Sequence, residues 1–130
     1  MGSTSEAKIR SLLDAWGDGN DAVSAAVREH FAPDATWEQP GLPTTKGPDE
    51  AVDLIKGMDG MGIAAIKVDY VKTSGTDDVV FTERVDHVVM TDGSTSMSIK
   101  VVGVTEFRDG KITAWREYFD TGALGQLPDA

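Results

Sequence analysis

The chain has 130 residues, no cysteine and a net charge of −10, with 22 acidic against 12 basic residues. This length predicts one domain over residues 1–130, able to bury about two-thirds of the surface that its unfolded chain exposes. The lack of cysteine excludes disulfides, thiolate nucleophiles and cysteine metal sites. The negative charge argues against nucleic acid and anionic lipid as partners.

Three helices are predicted in the first half of the chain. From Ile9 to Trp16, apolar residues recur at i, i+3, i+4 and i+7, which is one stripe of a helix. Predicted helices cover residues 5–16, residues 20–31 and a segment that begins at Pro48. Pro33 and Asp34 are expected to turn the chain before a short extended piece over residues 36–39. The glycines Gly57, Gly60 and Gly62 are expected to interrupt the third helix.

The second half changes to a period of two, which predicts long strands. The predicted strands are Ile63–Thr73, Asp78–Met90, Ser96–Arg108 and Lys111–Asp120. Short joins, two of them containing Asp-Gly, predict antiparallel hairpins. Helices followed by a strand meander indicate an α+β fold, with a curved sheet packed against the N-terminal helices as a cone open at one end. The final residues, TGALGQLPDA, are either a lid over the mouth or a frayed tail.

No apolar run approaches the length of a membrane span, and the opening residues MGSTSE do not resemble a signal peptide. We therefore expect a soluble, cytoplasmic protein that does not enter a membrane.

The stretch FTERVDHVVM carries charged residues in the middle of a predicted strand. Because side chains alternate between faces, Arg84 and Asp86 point the same way, with Val88 beside them. The opposite face carries Phe81 and Val85 among its residues, so neither face is purely polar. A sheet with two partly apolar faces is expected to have helices on one face and a second subunit on the other, which predicts a homodimer through the outer face.

The last strand offers a second carboxylate. In TAWREYFD, Trp115, Glu117 and Phe119 share a face. A carboxylate on each side of Arg84 inside an apolar pocket would let one carboxyl stay protonated while the other is ionised. The alternative is a cross-strand charge ladder, which contributes a few tenths of a kcal/mol to about 1 kcal/mol.

Other catalytic patterns are absent from the sequence. His30 and His87 have no second ligand at metal spacing, so each is expected to be a packing or surface residue. No Gly-rich phosphate loop occurs between a strand and a helix, and no Ser or Thr is placed as a nucleophile elbow.

The segments TWEQPGLP, VFTERVD and GVTEFRDGKITAWREYFD together resemble the limonene-1,2-epoxide hydrolase family. The resemblance runs from about Thr36 to Asp120. This family belongs to the nuclear-transport-factor-like superfamily, together with ketosteroid isomerases and polyketide cyclases. The resemblance implies a cone-shaped, cystatin-like fold with one deep pocket, and cofactor-independent hydrolysis of an epoxide.

The resemblance also implies roles for individual residues. Asp86 matches the acid that protonates the epoxide oxygen, and Arg84 matches the arginine that bridges it to a basic carboxylate. In the family the basic carboxylate is an aspartate, and Glu117 stands at its position. Trp37 and Gln39 stand where the family has a tyrosine and an asparagine that hold the attacking water. Three of the five positions thus depart from the family pattern, and an indole can donate one hydrogen bond but accept none.

An apolar pocket is expected to bind an apolar, cyclic epoxide. Its predicted wall is Met58, Met61, Val88, Ile99, Val101, Phe119 and Leu124. Two other functions stay open: another proton-transfer enzyme of the superfamily, such as an isomerase or a cyclase, and a non-catalytic module that binds an apolar ligand.

Overall fold

The computed structural model of the protein describes residues 4–122. The elements are α1 (Thr4–Gly17), α2 (Asn20–His30), β1 (Phe31–Glu38), β2 (Thr45–Lys46), α3 (Gly47–Gly60), β3 (Ile63–Gly75), β4 (Val79–Met90), β5 (Thr95–Arg108) and β6 (Lys111–Tyr118). The three helices and the four long strands of the second half confirm the predicted α+β order.

The six strands form one curved, unclosed sheet in the order β2-β1-β6-β5-β4-β3. Neighbouring strands are antiparallel except β1 and β6, which pair in parallel. Consecutive hairpins build the β3–β6 meander, whereas the β1–β6 pairing joins the first and the last strand in chain order. The parallel pairing brings residues of the first half of the sequence next to the last strand.

The helices cover one face of the sheet. α1 contacts β3 and α3 contacts β1, and the apolar stripe of α1 predicted from Ile9 to Trp16 is buried. Along β4, the side chains from Val80 to Val88 alternate between a buried face and a more exposed face. The buried face includes Arg84 and Asp86, so these two charged residues lie on the concave, helix-covered side.

The third helix is longer than the sequence indicated. It continues through Gly57, so the expected interruption there is wrong, but it ends at Gly60, so the expected break at Gly60 and Gly62 is confirmed. A single glycine weakens a helix by only about 1 kcal/mol, and burial of Val52 and Ile55 offsets that cost. The chain turns at Gly62, whose φ is 81°, a conformation that favours glycine.

The first strand also begins earlier than expected. β1 starts at Phe31, directly after α2, and the predicted turn at Pro33 and Asp34 is instead a register irregularity within this strand. Such an irregularity accommodates a proline, which cannot donate a ladder hydrogen bond. The last strand ends at Tyr118, so Phe119 follows the strand rather than lying in it.

The hairpin between β5 and β6 follows the sequence prediction. Asp109 and Gly110 have φ values of 51° and 78°, as a two-residue turn with both central residues at positive φ requires. Beyond this turn the register shifts by one residue between Glu106 and Phe107, and this irregularity places Gly103 opposite Glu117. Within residues 4–122, no helix has the length and apolar character needed to cross a membrane.

Candidate active site

The buried face of β4 carries a bidentate ion pair. Arg84 Nε donates to Asp86 Oδ1 over 2.9 Å, and Arg84 Nη2 donates to Asp86 Oδ2 over 3.1 Å. The two residues are two positions apart, so alternation places both side chains on one face. Arg84 is 1% exposed and Asp86 is 8% exposed, which removes most of the solvent screening that weakens a surface pair.

A second carboxylate completes this arrangement from another strand. Arg84 Nη2 also donates to Oε2 of Glu117 on β6, across the intervening strand β5. Glu117 is 4% exposed. One guanidinium therefore holds two carboxyl groups that come from strands that are not neighbours. This is the pocket arrangement expected from the sequence, and not a ladder on a solvated surface.

Thr82 is a further partner that the sequence reasoning did not identify. Its Oγ1 accepts a hydrogen bond from Arg84 Nη1 over 3.1 Å, and the residue is fully buried. The sequence could have indicated this partner, because Thr82 is two residues before Arg84 and strand alternation places both side chains on the same face. Bonds to three side chains compensate part of the desolvation of the guanidinium, which a single bridge seldom does.

Trp37 contacts the carboxylate of Glu117. The indole Nε1 donates to Glu117 Oε1 over 3.1 Å, and Trp37 is fully buried. Its ring is stacked on Trp115, with centroids 4.7 Å apart and an angle of 5° between the planes. Trp37 does not line the pocket within the described residues. The expectation that it holds the water directly is therefore corrected, because its N–H already bonds to the carboxylate and its ring is enclosed.

The carboxyl groups of Asp86 and Glu117 lie in the wall of an otherwise apolar pocket. Its volume of about 80 Å³ exceeds the roughly 10–15 Å³ that one water molecule needs on this measure. The lining residues are Trp16, Gln39, Leu42, Met58, Ile63, Ile66, Asp86, Val88, Ile99, Val101, Glu117 and Phe119. The pocket can hold a small apolar molecule against two carboxyl groups.

Most of the predicted wall residues lie in this pocket, namely Met58, Val88, Ile99, Val101 and Phe119. Met61 was wrongly placed there: it follows α3 and packs, partly buried, against the hydrophobic core. Leu124 lies outside the described residues.

Four wall residues were missed by the sequence reasoning: Trp16, Leu42, Ile63 and Ile66. Trp16 was interpreted as core because it continues the apolar stripe of α1, and the stripe itself does not distinguish a core position from a pocket position.

Gln39 lines the same pocket as the two carboxyl groups. Its Nε2 is buried and makes no hydrogen bond to any residue in the range 4–122. A buried amide nitrogen without a partner costs free energy, and a bound water or ligand oxygen would satisfy it. Of Trp37 and Gln39, the two residues expected to hold the water, Gln39 is the one whose N–H group remains available to a molecule in the pocket.

The two histidines lie away from the pocket lining. His87 is on the outer face of β4, where its ring nitrogens lie 2.7 Å from Ser98 Oγ and 2.8 Å from Asp69 Oδ2. Ser98 and Asp69 are exposed, so this is a surface hydrogen-bond ladder without a concave site. His30 is buried at the end of α2. Both agree with the expected surface and packing roles. Among residues 4–122, no group of three His, Cys, Asp or Glu side chains is placed to hold a metal.

Burial changes the proton affinity of two groups outside the pocket lining. Desolvation lowers the pKa of His30 below its usual value, with Glu29 opposing the change and Lys111 and Lys8 adding to it. Desolvation raises the pKa of Tyr70, and the hydrogen bond that its hydroxyl donates to Asp14 acts in the same direction.

The fold and the site together define a class of protein: a cone-shaped α+β domain whose concave face carries one guanidinium bonded to two carboxyl groups at the wall of an apolar pocket. The family model described as the limonene-1,2-epoxide hydrolase catalytic domain matches residues 5–126. The chain belongs to the limonene-1,2-epoxide hydrolase family, and the resemblance in the sequence motifs is confirmed.

Among curated proteins, the chain is 32% identical over 100 residues to epoxide hydrolase EphG of Mycobacterium tuberculosis. The match covers 77% of this chain and 62% of that relative. The chain therefore spans less than two-thirds of the length of this relative.

Solved structures that share the fold include two bacterial proteins. The structure of an LEH-like epoxide hydrolase of M. tuberculosis has a TM-score of 0.74 and 24% identity, covering 95% of this chain and 89% of that chain. An NTF2-like protein of unknown function from Burkholderia pseudomallei has a TM-score of 0.81 and 20% identity, with full coverage of both chains. At these identities the likeness establishes the cone-shaped fold and not an activity.

Proposed function

We propose that the protein is an epoxide hydrolase that adds water to an apolar, cyclic epoxide and releases a vicinal diol. The observation that carries the proposal is a single guanidinium, that of Arg84, holding the carboxyl groups of Asp86 and Glu117 at the wall of an apolar pocket. Membership of the family and the similarity to a protein named epoxide hydrolase support the same reaction.

The proposed reaction has one chemical step. Glu117 takes a proton from a water molecule as the water oxygen attacks one carbon of the epoxide. The bond between that carbon and the ring oxygen breaks, and Asp86 delivers a proton to the departing oxygen. Each proton transfer is expected to contribute about 10²- to 10⁴-fold to the rate. Release of ring strain supplies driving force, and the step uses no metal or cofactor.

Charge balance supports a pair of carboxyl groups in which one acts as acid and the other as base. One guanidinium and two ionised carboxylates would leave a net negative charge in a low-dielectric pocket, which is unfavourable. One proton shared by the two carboxyl groups makes the cluster neutral. Both carboxyl groups accept hydrogen bonds at both oxygens, Glu117 from Trp37 and Arg84, and Asp86 from Arg84. We take Glu117 as the base and Asp86 as the acid because these are the roles that the family motifs imply for the two positions.

Gln39 supplies the remaining contact for the attacking water in this proposal. Its free Nε2 donates to the water oxygen while Glu117 accepts a water proton, which orients a lone pair of the water toward the substrate. Trp37 holds Glu117 in place from behind the pocket wall. The exchange of the family's tyrosine for tryptophan thus moves a hydrogen bond from the water to the base.

The direct test is hydrolysis in ¹⁸O-labelled water. Limonene oxide, cyclohexene oxide and styrene oxide are each incubated with wild type, Asp86→Asn and Glu117→Gln, and diols are measured by mass spectrometry. We expect one labelled oxygen per diol, with kcat reduced by at least about 100-fold in both variants. Ile112→Val, a buried change outside the pocket lining, is the control and should keep wild-type kcat. No diol above background from wild type would overturn the proposal.

A second candidate is an isomerase or cyclase that uses one of the carboxyl groups as a base. It is favoured by the single observation that Trp37 donates its hydrogen bond to Glu117. A water molecule in the pocket then has fewer hydrogen-bond partners than the family pattern provides. Product mass separates the two candidates: hydrolysis adds one water to the substrate, whereas isomerisation or epoxide-opening cyclisation leaves the mass unchanged.

A non-catalytic binding module predicts ligand binding with no turnover, and Glu117→Gln would then change no measured rate.

We also propose that the protein is a homodimer through the outer face of the sheet. Within residues 4–122, the large apolar side chains that are exposed all lie on this face: Val71, Phe81, Val102 and Tyr118. Glu83, Val102 and Tyr118 stand opposite one another across β4, β5 and β6. A second copy would remove these apolar side chains from water.

A further inference from the structure

We propose that Gly103 is a positioning residue for the acid–base site, because it leaves the space through which Arg84 reaches Glu117. This inference concerns the geometry of the same site for which we propose epoxide hydrolysis. Gly103 lies in the middle of β5, buried, and contributes no side chain to the chemistry. Its importance comes from what a side chain at this position would meet.

Gly103 occupies the centre of a row across three strands. Thr82 on β4 pairs with Gly103, and Gly103 pairs with Glu117 on β6. Arg84 pairs with Val101, one step away on the same face of β5. Yet its guanidinium bonds to both Thr82 and Glu117, the outer members of the row. The guanidinium therefore lies over the backbone of Gly103.

A Cβ atom at Gly103 would collide with this group. It would lie 2.6 Å from Arg84 Nη1 and 2.8 Å from Thr82 Oγ1, and Cβ atoms in proteins essentially never approach other heavy atoms within 3.0 Å. An arginine on a surface would swing away from the new methyl group. Here Arg84 is 1% exposed and is hydrogen-bonded to three side chains, so moving the guanidinium breaks the bridge.

The glycine is required by this contact and not by its backbone conformation. Gly103 is not among the glycines with positive φ, so an alanine could adopt the same strand geometry. Alanine is also more favourable than glycine within a strand. The backbone conformation does not require a glycine at this mid-strand position. The reason for Gly103 is therefore the close approach of the Arg84 guanidinium to its backbone.

The experiment follows Arg84 itself as well as turnover. In the wild type, we expect a resolved, slowly exchanging ¹⁵N signal from the Arg84 Nε–H, assigned by its loss in Arg84→Lys. In Gly103→Ala, that signal should shift or be lost while the far-UV circular dichroism stays that of a folded protein. With the most reactive epoxide, kcat should fall by about 100-fold with KM changed less than about threefold, since a displacement of about 1 Å costs on that order.

Two controls separate positioning from a general loss of stability. Gly60→Ala introduces a Cβ with nothing within 4 Å and should leave the Arg84 signal and kcat unchanged. Ile112→Val weakens the core without touching the site, and it should lower the denaturation midpoint while keeping the Arg84 signal. A Gly103→Ala protein with the wild-type Arg84 signal overturns the inference.

Thr82 provides a second route if Gly103→Ala does not fold. Thr82→Val keeps the shape of the side chain but removes the acceptor of Arg84 Nη1, and should move the Arg84 signal and lower kcat by about tenfold. Thr82→Ser keeps the acceptor and should restore both. Equal Arg84 signals in the two variants overturn the inference. If the wild type hydrolyses no epoxide, the proposed function fails, while the Arg84 signal still decides the role of Gly103.

Discussion

The indole nitrogen of Trp37 lies 3.1 Å from Oε1 of Glu117, and this bond joins the first strand of the sheet to the last. Parallel pairing of β1 with β6 sets Trp37 beside Trp115 in the register, and their rings stack. Glu117 is two residues beyond Trp115, so its carboxylate comes within reach of the indole. The base of the proposed reaction is thus held by an aromatic residue that does not line the pocket.

Replacing Trp37 by phenylalanine removes this hydrogen bond while keeping an aromatic ring. We expect kcat to fall about tenfold, because a charge-assisted bond of about 1.5–3 kcal/mol no longer orients Glu117. Trp115→Phe is the matched control, since the Trp115 indole nitrogen is buried without a hydrogen-bond partner in the range 4–122. Both variants should lose stability in urea, but only Trp37→Phe should lose this much kcat. Equal losses of kcat would contradict the assigned role.

Removing the bridging guanidinium should be costly for folding. Arg84→Met leaves Asp86 and Glu117 buried without their cation, and we expect the free energy of unfolding to fall by about 3–5 kcal/mol. Chemical denaturation at pH 7 measures the change.

Removing the whole charged cluster should be much less costly. Because the desolvation of all three groups is then avoided, the triple variant Arg84→Met, Asp86→Leu, Glu117→Leu should unfold within about 1 kcal/mol of wild type or be more stable. Both Arg84→Met and the triple variant should be inactive. A triple variant less stable than Arg84→Met would show that the cluster stabilises the fold.

His30 should make folding stability depend on pH. Burial lowers the pKa of the folded imidazole below 6.5, so the folded state favours the neutral ring. Below pH 6.5, the unfolded chain binds a proton at this position that the folded protein does not, and stability falls as pH falls. The stability contribution is fully present above pH 6.5 and is lost in the acidic range.

The corresponding variant is His30→Gln, which cannot titrate. Urea unfolding of wild type and His30→Gln between pH 8 and pH 5 should give stability curves that converge or cross on acidification, because wild type loses stability that the variant does not. Curves that stay parallel over this range would be inconsistent with a lowered pKa at His30.

The outer face of the sheet predicts the oligomeric state. We expect sedimentation equilibrium to give about twice the chain mass of 13.9 kDa for wild type. Val102→Glu introduces a charge among Val71, Phe81 and Tyr118, and should shift the protein to monomer by burying an unpaired carboxylate in the interface. Ala7→Glu adds the same charge at an exposed position of α1 and should leave the dimer intact. A monomeric wild type at micromolar concentration would refute the proposed interface.

The sequence alone determined the periodic features of this protein. Alternation along FTERVDHVVM placed Arg84, Asp86 and Val88 on one face, and the stripe from Ile9 to Trp16 predicted a buried helix face. The Asp-Gly pair after β5 predicted a tight turn. These features are local, because backbone geometry relates residues that are close in the chain, and the family motifs added the roles expected for Arg84 and Asp86.

Only the tertiary structure decided which residues meet. Alternation assigns side chains to two faces of a strand, but the packing of helices decides which face is enclosed. The parallel pairing of β1 with β6 brought Trp37 to Glu117, and the register across β4, β5 and β6 set Gly103 beneath Arg84. These contacts join residues far apart in sequence, so they depend on strand order and register, which no local pattern of residues encodes.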